Sequence, residues 1–184
     1  MQPPESSSPS SRELWIVADE ETRVRMRGKG LRLAIAYFER DTASLEALMP
    51  TEELPLKLHM AALSFTLSAM NQVEPPDTPE VVWTRVSPII DSTTPRDVRP
   101  RVRALLALIS HTMRTAELNR AYLAEEGDPA ASAHLYAAVM AMRVADRPDG
   151  IVLLRQKADE LDPPTRRGLQ AATTCARGFA PCWR

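Results

Sequence analysis

Proline restricts this chain more than any other residue: sixteen are present, and most fall between apolar segments rather than inside them. Four follow a small polar residue, in Thr78-Pro79, Thr94-Pro95, Asp128-Pro129 and Asp162-Pro163. Proline fits the first turn of a helix because its missing N–H would be unpaired there, and the hydroxyl or carboxylate before it can accept from the turn's free N–H groups. The repeated device predicts helices beginning near 79, 95 to 100, 129 and 163. Gly127 suits the end of the preceding helix.

Apolar spacing between these marks is helical. Val102, Leu105, Leu106, Ile109, Met113, Ala116 and Leu123 recur at three and four residues, and Ile151, Leu154, Ala158 and Leu161 do the same beside a charged face of Arg155 to Lys157, Asp159 and Glu160. Leu169, Ala172 and Ala176 continue the pattern. Between Leu56 and Val73 the seam of Leu56, Met60, Leu63, Leu67 and Met70 is joined by Leu58, Ala62, Phe65 and Ala69. Only a narrow polar stripe of Lys57, Ser64, Ser68 and Asn71 is left. A helix apolar nearly all round belongs at a protein's centre.

The N-terminal third reads in two ways. Arg23 to Arg27 alternates with period two and fits an edge strand ending at Gly28-Lys29-Gly30, whereas Ser10 to Glu13 fits a capping box opening a helix through Leu14, Val17 and Ala18. Helices at 11 to 27 and 31 to 48 are the preferred reading. Residues 1–11, with three prolines and five serines, read as a disordered tail. The fold class expected is therefore all-α: a bundle of about seven or eight helices over residues 12–184, with a possible seam near 74–95 dividing two packed halves.

Composition narrows the function classes. With 23 Lys and Arg against 24 Asp and Glu the formal charge is −1, which excludes a histone-like polycation. No run of about 18 apolar residues occurs and the N-terminus lacks signal-peptide order, so the expected location is cytoplasmic. The excess of arginine over lysine, in a chain rich in alanine and proline, suggests a GC-rich bacterial genome. Two cysteines, Cys175 and Cys182, are too few for a disulfide scaffold; free thiols are the preferred reading, with a bridge across the short loop the alternative.

Catalytic signatures are missing from the sequence. It contains no H-E-x-x-H, C-x-x-C, G-x-S-x-G, Walker A or G-x-G-x-x-G pattern, and no E-x-x-H pair of a di-iron bundle. His59, His111 and His134 fall on three helices without a cysteine or carboxylate at ligand spacing, so they read as surface or helix-flank histidines and no metal or cofactor is expected. Asp19-Glu20-Glu21, Glu52-Glu53 and Glu125-Glu126 are adjacent in sequence and diverge on a helix, so they read as solvated or first-turn groups.

Two arginine clusters stand out: Arg23, Arg25, Arg27, Lys29 and Arg32, and Arg96, Arg99, Arg101 and Arg103. Either could contact duplex phosphates, although spreading around helices and pairing with acids is the plainer reading. Leu31 to Arg40 resembles the first helix of TetR-type repressors over ten residues. Pro50 and Pro55 stand where that family's turn and recognition helix would follow. Ala158 to Pro163 resembles the end of a tetratricopeptide repeat, without the small residues expected earlier. Neither family is assigned.

Binding surfaces are the remaining signal. Met60, Met70, Met113, Met140 and Met142 lie on helical seams, where they fill a core or line an adaptable groove for a partner helix. Trp83, with Val82 and Val86 on a short helix before Pro88, is a candidate interface anchor. The expected function is a non-catalytic interaction or assembly module that binds a protein partner or itself. The alternatives are a DNA-binding regulator using the arginine clusters and an enzyme with an unrecognised helical site.

Overall fold

The computed structural model describes residues 8–73, 77–110 and 124–163. Among them are eight principal helices and no strand: α1 (Ser11–Val17), α2 (Glu20–Glu39), α3 (Thr42–Leu48), α4 (Glu53–Val73), α5 (Pro79–Thr93), α6 (Arg99–Ser110), α7 (Pro129–Ala145) and α8 (Gly150–Leu161). The chain is thus all-α, as its periodicity indicates. The cysteines, His111, Met113 and the helix expected near 163 lie outside the described residues.

Local chemistry sets the boundaries. Ser10 and Glu13 form the expected capping box at the start of α1. The Thr78 hydroxyl accepts from the Val81 N–H, and the Asp128 carboxylate accepts from the Ala131 N–H, each just before a proline in the first turn. The preferred helix at 11 to 27 breaks at Ala18, because Asp19 turns into an N-cap that accepts from the Thr22 N–H at 2.7 Å. Arg23 to Arg27 is helix and not an edge strand, and α2 runs straight through Gly28-Lys29-Gly30.

These two glycines are packing devices on opposite sides of α2. A Cβ at Gly28 would sit 2.5 Å from Cβ of Asp162 at the end of α8, and one at Gly30 would sit 3.2 Å from the Leu63 side chain of α4. Their absence lets α2 lie close to both neighbours. Helix α2 ends at Arg40 in the left-handed region (φ 59°), and Asp41 then caps α3.

Helix α7 is the centre. It packs on α2, α4, α5, α6 and α8, and twelve of its seventeen residues are buried. Runs of alanine keep its surface narrow enough for five neighbours, while Leu135, Met140 and Met142 supply bulk, each fully buried apolar side chain stabilising by about 1.5–3 kcal/mol. One apolar cluster draws on helices from α2 to α8, and a smaller one joins Trp15, Met26, Ala61 and Ala62.

Three expected positions change. Helix α5 does not stop before Pro88 but continues to Thr93, with Pro88 exposed on its solvent side. Lys57, read as part of a polar stripe, is buried: its ammonium meets Glu53 at 2.8 Å, the Ser8 hydroxyl at 3.0 Å and the Pro9 carbonyl at 3.2 Å. Ser8 to Ser11, read as the end of a disordered tail, are held by Lys57 and by Glu126, which accepts from the Ser11 hydroxyl at 2.6 Å. No described helix is long and apolar enough to cross a membrane.

Candidate functional site

Helices α4 and α8 both pack on α2 and α7 yet make little contact with each other. The gap between them is a groove of about 690 Å³. Its floor is Leu31, Met70, Met140 and Leu154, and its walls rise through Phe65 on α4 and Leu153 on α8. Phe65 is 39% and Leu153 57% exposed, with Val152 beside it at 59%. Phe65 and Leu153 thus leave apolar surface exposed along the groove.

Arg27, Arg147, Lys157 and Glu20 stand around the mouth. Phe65 stacks on Trp15 with ring centroids 5.6 Å apart, and the Arg27 guanidinium carbon lies 5.5 Å from the Trp15 ring centroid. This stack holds the α4 wall in place from α1. Of the two methionines lining the groove, Met70 is half-buried, whereas Met140 is buried core like Met60 and Met142.

A smaller cleft of about 250 Å³ lies between α4, α5, α6 and α7. Arg143 is buried there, hydrogen-bonded to the Asn71 side-chain carbonyl and 3.8 Å from the Asp77 carboxylate. Tyr136 donates to Glu125 at 2.6 Å. Burial raises the Glu125 pKa above the usual carboxylate range, and the Glu126 charge adds to this against the tyrosine bond. Glu125 and Glu126 are therefore structural partners rather than the solvated pair expected, because the turn into α7 folds them against Tyr136 and Ser11.

The histidines differ from expectation as well. His59 and His134 are buried, not on the surface, since α2, α4 and α7 close over them. Tyr37 Oη lies 2.8 Å from the Thr94 hydroxyl and 2.9 Å from His134 Nδ1. Neither ring nitrogen of His59 has a hydrogen bond of ordinary geometry among the described residues. Burial lowers the pKa of each histidine to about 4; the Lys29 charge contributes at His59, and His59 contributes at His134. Among the described residues no three metal-ligating side chains converge.

The arginine clusters are largely committed within the fold. Arg23 pairs with Glu20 at 3.0 Å, Arg27 stacks on Trp15, and Arg32 reaches Asp159 at 2.9 Å. Arg99 donates to the Thr94 carbonyl, Arg101 pairs with Asp128 and Arg103 with Asp91, both at 3.0 Å. Arg25 and Arg96 are exposed and Lys29 is half-buried. The first cluster spreads around α2 and does not form one face.

In the expected Trp83 patch, Trp83 is 37% exposed, Val82 is half-buried against the smaller cleft, and Val86 is fully buried. Val86 faces the main apolar cluster and cannot contribute to an exposed anchor. The groove between α4 and α8 was missed by sequence reasoning except through its methionines.

Comparison with models of protein families finds no match. Comparisons with curated proteins and with solved structures find none either.

Proposed function

We propose that the protein is a non-catalytic interaction module that docks a protein partner in the groove between α4 and α8. The observation that carries this reading is the pre-formed apolar channel itself, lined by half-buried Met70 and Leu154 and open to solvent along Phe65 and Leu153. A methionine such as Met70 adapts its shape to an apolar helix face at little packing cost. The ordered stack of Trp15 on Phe65 reduces the entropy lost when a partner docks.

Light scattering at two concentrations, alone and after addition of a partner, tests the reading together with a Leu153→Glu variant. A charge at this exposed position should abolish association and leave helicity unchanged. Association that is indifferent to the substitution contradicts the proposal. Duplex DNA binding at low salt that weakens steeply as salt rises would instead favour the regulator reading, which rests on arginines that the fold mostly engages elsewhere.

A further inference from the structure

We propose that the groove between α4 and α8 is the seat of the chain's own residues 165–180, so that a docking partner must displace them. The proposal rests on the docking reading above and deepens it by naming a competitor for the same site.

The point at which the chain leaves the bundle carries the argument. Helix α8 ends at Leu161, which lines the groove, and Asp162 follows directly against Gly28 of α2. The residues after 163 therefore start beside the channel. Pro163 and Pro164 hold the residue before each of them away from helical geometry, which turns the chain off the α8 axis. Asp162 to Pro164 is a connection of the length that joins two antiparallel helices, about 2–5 residues.

The sequence that follows supplies a matching occupant. Leu169, Ala172, Ala176 and Phe179 recur at three and four residues, while Arg166, Gln170, Thr173 and Arg177 fall on the opposite side of the same helical period. As a helix this stripe is about 15 Å long, against about 16 Å for the α8 wall from Gly150 to Leu161. Two alanines at its middle allow a close approach between the ridges of α4 and α8.

Energetics favour seating within one molecule. A helix this short is marginal alone in water, and Gly168 and Gly178 weaken it further, so its stability must come from burying the stripe. Phe65 and Leu153 lose water contact in the same event. A connection of so few residues gives an effective concentration on the order of millimolar, which places the chain's own segment ahead of the same segment from a second copy.

The test uses the full chain with a nitroxide on Cys182 after Cys175→Ser, these being the two cysteines of the sequence. Amide signals of Phe65, Leu153 and Lys157 should broaden, and those of α6, whose residues do not line the groove, should not. The broadening should be lost in Leu169→Glu, with unchanged α7 signals reporting an intact bundle. A labelled synthetic amphipathic helix with leucines on one face should bind Leu169→Glu at least about tenfold more tightly than the unsubstituted chain. No broadening at the groove, or broadening that persists in Leu169→Glu, overturns the proposal. So does broadening seen only when nitroxide and isotope label are on different molecules, which would put a second copy there. Equal binding of the synthetic helix to both chains would overturn the competition and leave docking standing. Groove broadening with no binding of the synthetic helix to either chain would uphold the seat and overturn the docking reading.

Discussion

The hydroxyl of Tyr37 lies 2.9 Å from Nδ1 of His134 and 2.8 Å from the hydroxyl of Thr94, all inside the core, so α2, α7 and the end of α5 share one hydrogen-bonded node. Burial also pushes the Tyr37 phenol pKa well up, which keeps it neutral and able to donate. Tyr37→Phe preserves the ring but removes the oxygen that joins the other two groups. Leaving His134 and Thr94 without it should cost about 1–3 kcal/mol, measured by urea denaturation at neutral pH.

His59 is buried near His134, and among the described residues its ring meets the Lys29 backbone without a hydrogen bond of ordinary geometry. Removing a buried polar group that has only this weak contact relieves desolvation, so His59→Leu should be neutral or stabilising at pH 7. A loss of several kcal/mol would show that the ring makes a bond essential to the fold.

Both histidines give the fold an acid dependence of definite sign. Their folded pKa values, about 4, lie below the ordinary value of 6.5, so the unfolded chain binds more protons between these limits. Stability is therefore complete above about pH 6.5 and falls as pH drops toward 4, by at most about 3 kcal/mol per ring. Urea midpoints at pH 7 and 5 should differ in the wild type and differ less in His59→Leu. Equal shifts in both proteins would place the proton uptake elsewhere.

Glycine positions separate packing from propensity. At Gly150 a Cβ would lie 2.3 Å from the Val144 carbonyl oxygen, in the tight passage from α7 to α8, whereas at Gly127 it would meet nothing within 4 Å. Gly150→Ala should lower stability by about 1–3 kcal/mol, and Gly127→Ala should raise it by about 0.4–1 kcal/mol through the unfolded chain. Thermal unfolding of the two variants reads the opposite signs directly.

The helix starts were legible because each rests on neighbours in sequence: Ser10 with Glu13, Thr78 with Val81, Asp128 with Ala131. Gly28 and Gly30 were misread as a stop because what they accommodate, Asp162 and Leu63, lies far along the chain. His59 and His134 carry no motif, and only the closure of three helices buries them. The groove was legible only in part. Met70 and Met140 were visible on their seams, but the channel arises where α4 and α8 fail to meet, a relation between segments about 80 residues apart. Arg143 was equally hidden, since its partners Asn71 and Asp77 belong to other elements.

Amide chemical shifts of the isotope-labelled full chain, followed while a synthetic amphipathic helix with leucines on one face is added, test the docking claim most directly. The account predicts saturable changes concentrated at Leu31, Phe65, Met70, Met140 and Leu153, absent in Leu153→Glu. Changes centred instead on α5 and α6 around Trp83, or no saturable change at the groove, would contradict it.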